Sequence, residues 1–124
     1  MQLTKAEEQV MQYLWELKES QVQEIREQFD DPKPSRTTVS TIIRILETKG
    51  FVGHKPQGRG YTYYPLVAKE DYSKHQLFGI MKNYFNDSFT SMASFFAKES
   101  NLTIQEIEAL LEDTKEEIRK ELKK

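Results

Sequence analysis

Residues 35–50 read S-R-T-T-V-S-T-I-I-R-I-L-E-T-K-G, and the rest of the chain takes its meaning from them. Val39, Ile42, Ile43 and Leu46 follow the i, i+3, i+4, i+7 spacing that gathers apolar side chains on one side of a helix, the side turned to a core. At about 100° per residue the opposite side carries Thr37, Ser40, Thr41, Arg44 and Thr48. These are short hydrogen-bonding groups around one guanidinium, with no carboxylate among them. Such a face can lie against a base edge or a phosphate without repulsion. An ordinary solvated face has the same pattern, so the flanking sequence must separate the two readings. Pro32 and Pro34 interrupt any earlier helix, Ser35 has the chemistry of an N-cap, and Gly50 after Lys49 that of a C-cap.

Upstream, Thr4 and Glu7 have capping-box spacing, and Val10, Met11, Leu14 and Leu17 supply an apolar stripe to about Lys18. Trp15 lies beside that stripe and reads as a core anchor, with a binding surface as the alternative. Ser20 is expected to cap a second, short and acidic helix with Val22, Ile25 and Phe29 inward, ending near Asp30, Asp31 and Pro32. Downstream, Phe51 to Lys55 predicts a strand. Pro56, Gln57, Gly58, Arg59 and Gly60 then predict a tight turn, and Tyr61 to Leu66 a second strand rich in aromatics. Three helices and a β-hairpin in this order predict a winged helix-turn-helix with residues 35–50 as its recognition helix and Arg59 at the wing tip. Gly58-Arg59-Gly60 is not a nucleotide-phosphate loop, because no Gly-Lys-Ser/Thr ending and no helix follow it.

Charge is distributed to match. The chain of 124 residues has net charge −2. Met1 to Asp31 holds three basic against eight acidic residues, whereas Pro32 to Val67 holds Lys33, Arg36, Arg44, Lys49, Lys55 and Arg59 against Glu47 alone. From Ala68 onward nine basic residues face eleven acidic ones. Local charge, not the net value, decides where a polyanion can sit. With no cysteine, disulfides, thiolate zinc sites and cysteine nucleophiles are excluded. The opening M-Q-L-T-K-A-E-E has no apolar signal region and no later run is long enough to span a bilayer, so a soluble, cytoplasmic protein is expected. Asn86-Asp87-Ser88 and Asn101-Leu102-Thr103 therefore read as chance triplets or helix starts rather than glycosylation acceptors.

From Ala68 the pattern is helical. One helix is expected from about Lys69 to Tyr84, a second near Phe89 to Lys98, and a third from Thr103, which has capping-box spacing to Glu106. Short aromatic helices bury little by themselves, and an identical chain is the simplest partner. The candidate dimerisation residues are Tyr72, Leu77, Phe78, Met81, Phe85, Phe89, Met92, Phe95, Phe96, Ile104, Ile107, Leu111 and Ile118; the alternative is a monomer whose tail folds back. The expected architecture is mainly α with a small β-hairpin, residues 1–67 forming the winged helix-turn-helix and 68–124 a helical dimerisation domain.

The candidate DNA-binding residues are Arg36, Thr37, Thr38, Ser40, Thr41, Arg44, Lys49, Lys55 and Arg59. Arg36, Lys49, Lys55 and Arg59 suit phosphates, while Thr37, Ser40, Thr41 and Arg44 suit the major groove. Four phosphates per protomer predict a log K against log[salt] slope of about −7 for a dimer. A rival from another class is a winged helix whose basic strip binds an acidic protein. No enzyme is expected: His54 falls in a strand and His75 in a helix, with no partner at a spacing that builds a triad or a metal site, and no cofactor or metal is expected.

Three stretches resemble the penicillinase-repressor, or BlaI/MecI-type, transcriptional regulators. L-T-K-A-E-E-Q-V-M-Q-Y-L-W (residues 3–15) is similar to that family's first helix, T-T-V-S-T-I-I-R-I-L-E-T-K-G (37–50) to its recognition helix, and G-R-G-Y-T-Y-Y-P-L (58–66) to its second wing strand. The resemblance implies a homodimeric repressor on a palindromic operator, released by proteolysis of the tail under a membrane-embedded sensor metallopeptidase. The best-known members are cut ahead of phenylalanine in an Asn-Phe pair, which here falls at Ser94 and Phe95, the candidate cleavage position. Family copper sensors carry a cysteine-rich tail, which this chain lacks. Some relatives have a basic residue where this chain has Ile45, so an operator sequence does not carry over.

Overall fold

The computed structural model describes residues 2–123. Helices α1 (Lys5–Leu17), α2 (Val22–Glu27) and α3 (Arg36–Thr48) precede an antiparallel hairpin of β1 (Val52–Gln57) and β2 (Gly60–Pro65). Helices α4 (Lys69–Phe85), α5 (Phe89–Glu99) and α6 (Ile104–Leu122) follow. The chain divides into two compact units, Met1–Gln76 and Leu77–Lys124.

Each end of α1 is set locally. The Thr4 hydroxyl accepts the Glu7 N–H at 3.2 Å while the Glu7 carboxylate accepts the Thr4 N–H at 3.1 Å, so two orphan donors of the first turn are satisfied reciprocally. The cap of α2 is Gln21, not Ser20, with Glu24 closing the capping box. Ser20 is instead buried and exchanges two backbone hydrogen bonds with Tyr63, at 2.9 and 2.8 Å. Pairing with the wing outcompetes the cap that its side chain favours. Helix α2 also stops at Glu27, ahead of the expected end near Asp30 to Pro32. Lys33 Nζ donates to the carbonyls of Glu27 and Phe29, and Arg26 Nε to that of Pro34 at 2.7 Å, so two cations hold the chain end to end across the turn into α3.

Val10, Met11 and Leu14 of α1, Ile25 of α2, Val39, Ile43 and Leu46 of α3, then Phe51 and Val52, form the buried core of the first unit, with Ile42 and Trp15 packed partly buried against it. Each such side chain removed from water contributes about 1.5–3 kcal/mol before entropy is counted. Lys49 is the C-cap of α3 and Gly50 follows at φ 83°, the left-handed geometry that lets the chain leave the helix for β1. Phe51, expected in the first strand, is buried just before it.

The hairpin turn is tighter than expected. The strands pair as far as Gln57 and Gly60, so Pro56, Gln57 and Gly60 belong to the ladder and only Gly58 and Arg59 turn. Gly58 is at φ 61°, the positive angle that a two-residue hairpin turn requires at its first central position. Leu66 falls outside the second strand.

Tyr72 of α4, expected at a dimer interface, belongs instead to the core of the first unit. It is 4% exposed, its ring lies 5.6 Å from Trp15 and 5.9 Å from Phe51, and its hydroxyl donates to Glu8 at 2.9 Å. Gln76 donates to the same oxygen at 2.9 Å, and Trp15 Nε1 donates to the Val67 carbonyl at 2.8 Å. The first two turns of α4 therefore pack with the winged unit. In the second unit, Asn86 and Asp87 make the turn into α5 at φ 52° and 61°, Ser88 caps α5, and Thr103 with Glu106 forms the capping box of α6. Phe85 and Phe95 lie 5.5 Å apart, but no residue of α5 or α6 is buried.

Candidate nucleic-acid interface

The polar side of α3 faces outward. Ser35 accepts the Thr38 N–H at 3.1 Å, and its hydroxyl also lies 2.9 Å from that of Thr38. Thr38 is thus spent partly on starting the helix. Arg36, Thr37, Thr41, Arg44 and Thr48 are exposed and Ser40 is half-buried. The Thr41 hydroxyl donates to the Thr37 carbonyl at 2.9 Å, and that of Thr48 to Arg44 at 3.0 Å. With those protons engaged by the helix backbone, each side chain presents an acceptor lone pair and a methyl group outward.

Half of the positive segment is engaged elsewhere. Lys33 closes α2. Lys49 Nζ lies 2.5 Å from the Glu7 carboxylate and donates to the Gln2 carbonyl at 3.1 Å, which ties the end of α3 to the start of α1. The Lys49 hydrogen bond holds the Glu7 carboxyl below the usual carboxylate range against the opposing effect of burial, with the Thr4 N–H helping. Lys49, expected on phosphate, is here a structural partner of a buried acid. Lys55 pairs with Glu19 at 3.0 Å, both half-exposed, a contact of little worth that a phosphate can replace. Among the described residues, Arg36, Arg44 and Arg59 form no ion pair.

These three arginines occupy distinct places: Arg36 in the first turn of α3, Arg44 in the middle of its outer face, Arg59 at the wing tip. An open cleft of about 590 Å³ lies between the start of α2 and the wing, with Gln21, Gln23, Arg36, Arg59 and Tyr61 on its walls. Glu47, the acid of this segment, is turned to His54 Nδ1 on β1. Burial, and then Glu47, raises the Tyr63 hydroxyl above the usual phenol range, with Arg44 opposing. The His54–Glu47 contact is a feature that reading the sequence missed; the only acid in a basic segment was the available signal. Among the described residues no cluster of histidine and carboxylates suits a metal ion.

Known proteins similar to this chain include a repressor and a regulatory protein. The chain is 26% identical over 110 residues to the penicillinase repressor of Bacillus licheniformis, covering 88% of this chain and 86% of that one. It is 28% identical over 110 residues to the methicillin resistance regulatory protein MecI of Staphylococcus aureus, covering 88% and 89%. The oxidized form of MarR from E. coli superposes with a TM-score of 0.48 at 18% identity, over 94% of this chain and 76% of that one. The family model described as penicillinase repressor matches residues 3–116, nearly the whole length, and the chain therefore belongs to the penicillinase repressor family.

Proposed function

We propose that this chain is a sequence-specific DNA-binding transcriptional repressor that acts as a homodimer on a palindromic operator. The observation that carries the reading is the outer face of α3: exposed, free of carboxylates, centred on Arg44 and flanked by Arg36 and Arg59, none of the three in an ion pair among the described residues. Arg36, Arg59 and Lys55 position the duplex by its phosphates, and Thr37, Ser40, Thr41 and Arg44 read the major groove. With Lys49 held by Glu7, three phosphates per protomer predict a salt slope of about −5 for the dimer, shallower than a count of charges in the sequence suggests.

Residues 1–67 carry the DNA contacts, and the helical segment 68–124 carries the dimerisation surface beyond the turns of α4 that pack on the first unit; Leu77, Phe78, Phe89, Phe95, Phe96, Ile104 and Leu111 there are more than half exposed in the single chain. The cytoplasm is the compartment this role requires, and no described helix is long and apolar enough to cross a membrane. Release follows proteolysis of the tail by a membrane sensor metallopeptidase, with Ser94 and Phe95, both exposed on α5, as the candidate bond.

The test is fluorescence anisotropy of the purified protein against its own upstream DNA and a scrambled duplex at two salt concentrations. Tight, salt-steep binding to the first alone supports the reading; equal weak binding to both removes it. Arg44→Ala is expected to cost about 1–3 kcal/mol and to relax discrimination at one base position. A loss uniform across sequences would make Arg44 a phosphate contact instead.

A further inference from the structure

The acid in the basic segment is placed where simple electrostatics advises against it. Glu47 lies on α3 three residues after Arg44, close enough in sequence to pair with it along the helix, yet it bonds His54 of β1. His54 is held further by the rings of Tyr61 and Tyr63, at centroid distances of 4.9 and 5.9 Å. His54 and Tyr63 are partners in the β-ladder, and Tyr63 is the residue whose backbone bonds Ser20. One line of contacts therefore runs Ser20, Tyr63, His54, Glu47, from the α1–α2 loop through both strands to the recognition helix.

Beyond that line the hairpin continues through Lys55–Thr62, Pro56–Tyr61 and Gln57–Gly60 to the turn. Three residue steps place the tip about 10 Å past the clamp. A tilt of about 20° at the clamp then displaces Arg59 by roughly 3–4 Å, more than a phosphate hydrogen bond tolerates. The backbone bonds to Ser20 hold one edge of the hairpin, and Glu47 holds the other.

We propose that Glu47 and His54 are positioning residues that lock the wing to the recognition helix, so that Arg59 and the face of α3 meet the duplex in one fixed geometry. This deepens the DNA-binding reading and rests on it. The consequence runs against charge counting. Deleting an acid that lies beside a DNA-binding face ordinarily tightens binding, whereas here Glu47→Ala is expected to weaken operator binding by roughly tenfold.

The experiment is a set of Glu47→Ala, His54→Ala, His54→Gln and Arg59→Ala variants, with the Glu47→Ala/Arg59→Ala double variant, in operator titrations across salt. Amide hydrogen exchange is measured on each free protein. Glu47→Ala and His54→Ala should weaken binding alike and make the salt slope less steep by about 0.9 for each phosphate no longer neutralised. Arg59→Ala should matter far less once Glu47 is gone. His54→Gln, which keeps a donor for the carboxylate, should recover most of the affinity. Wing amides should exchange faster in the two alanine variants while those of α1 and the core of α3 do not change.

If Glu47→Ala binds tighter while His54→Ala alone weakens binding, the histidine merely keeps the acid off Arg44 and the proposal is overturned. Tighter binding in both, or a full Arg59 effect in the double variant, overturns it as well. Should the unaltered protein fail to discriminate operator from scrambled duplex, it is the DNA-binding reading that falls. Hydrogen exchange then decides the clamp alone: faster wing exchange upholds it and unchanged exchange refutes it.

Discussion

Glu7 shows how one residue in this protein serves two elements at once. It completes the capping box of α1 and receives the ammonium of Lys49 at the end of α3, with only 6% of its surface exposed. Its carboxyl titrates below the ordinary value of 4.5, so the folded state favours the ionised form. The stability it contributes is present in full above that value and is lost as pH falls below it, because the unfolded chain then takes up the proton first. Lys49→Ala leaves the charge without its partner and is expected to cost about 1–3 kcal/mol near neutral pH. Urea unfolding at pH 7 and at pH 4 and below checks this, since the penalty should shrink as Glu7 is protonated. Tyr72 has the opposite sign: burial and Glu8 push its hydroxyl up to about 12, so its contribution is present below pH 10 and lost as pH rises through about 12.

At the scale of elements, α3 depends on a clean exit. Gly50 stands at φ 83° with open space where a Cβ would point, so a substitution there meets only backbone strain. Gly50→Ala is expected to destabilise by about 1–2 kcal/mol, and Gly50→Asn by less, since asparagine tolerates the left-handed region. Thermal unfolding of the two variants measures the difference directly. The wing shows a different kind of fit: a Cβ on Gly53 would come within 2.9 Å of the Tyr64 ring that covers it, so bulk there displaces the aromatic rather than straining the chain. Capping at Thr4, Ser35 and Thr103 was legible in the sequence because each cap is a bond between residues three apart. The Gln21 cap was not, because the competing demand on Ser20 comes from Tyr63, far along the chain.

For the whole molecule, the two units differ in how much apolar surface they bury. The first has a filled core, and the second leaves Tyr84, Phe89, Phe96 and Leu122 between 64% and 81% exposed. Apolar surface on that scale needs a partner, and a second copy of the chain is the one proposed. Analytical ultracentrifugation is expected to show a dimer, with an unfolding temperature that rises with protein concentration. A charge placed in the tail, Phe96→Asp, should shift the protein toward monomer and weaken operator binding while leaving the fold of the first unit intact. A concentration-independent monomer would remove the dimer from the proposed function.

By itself the sequence determined the element order, the caps with local partners, the inward face of α3 and the concentration of positive charge between Pro32 and Val67. Those are properties of spacing along the chain, and helical periodicity expresses them wherever the chain folds. Only the tertiary structure decided which charges are free. Lys49 answers an acid forty-two positions earlier, Lys55 answers Glu19, Glu47 turns to the wing, and Tyr72 leaves the expected interface for the first unit's core. Each of these is a contact between residues that periodicity cannot relate. A charge read from sequence is a capacity to bind, and what the fold has already placed beside it determines whether that capacity remains for DNA.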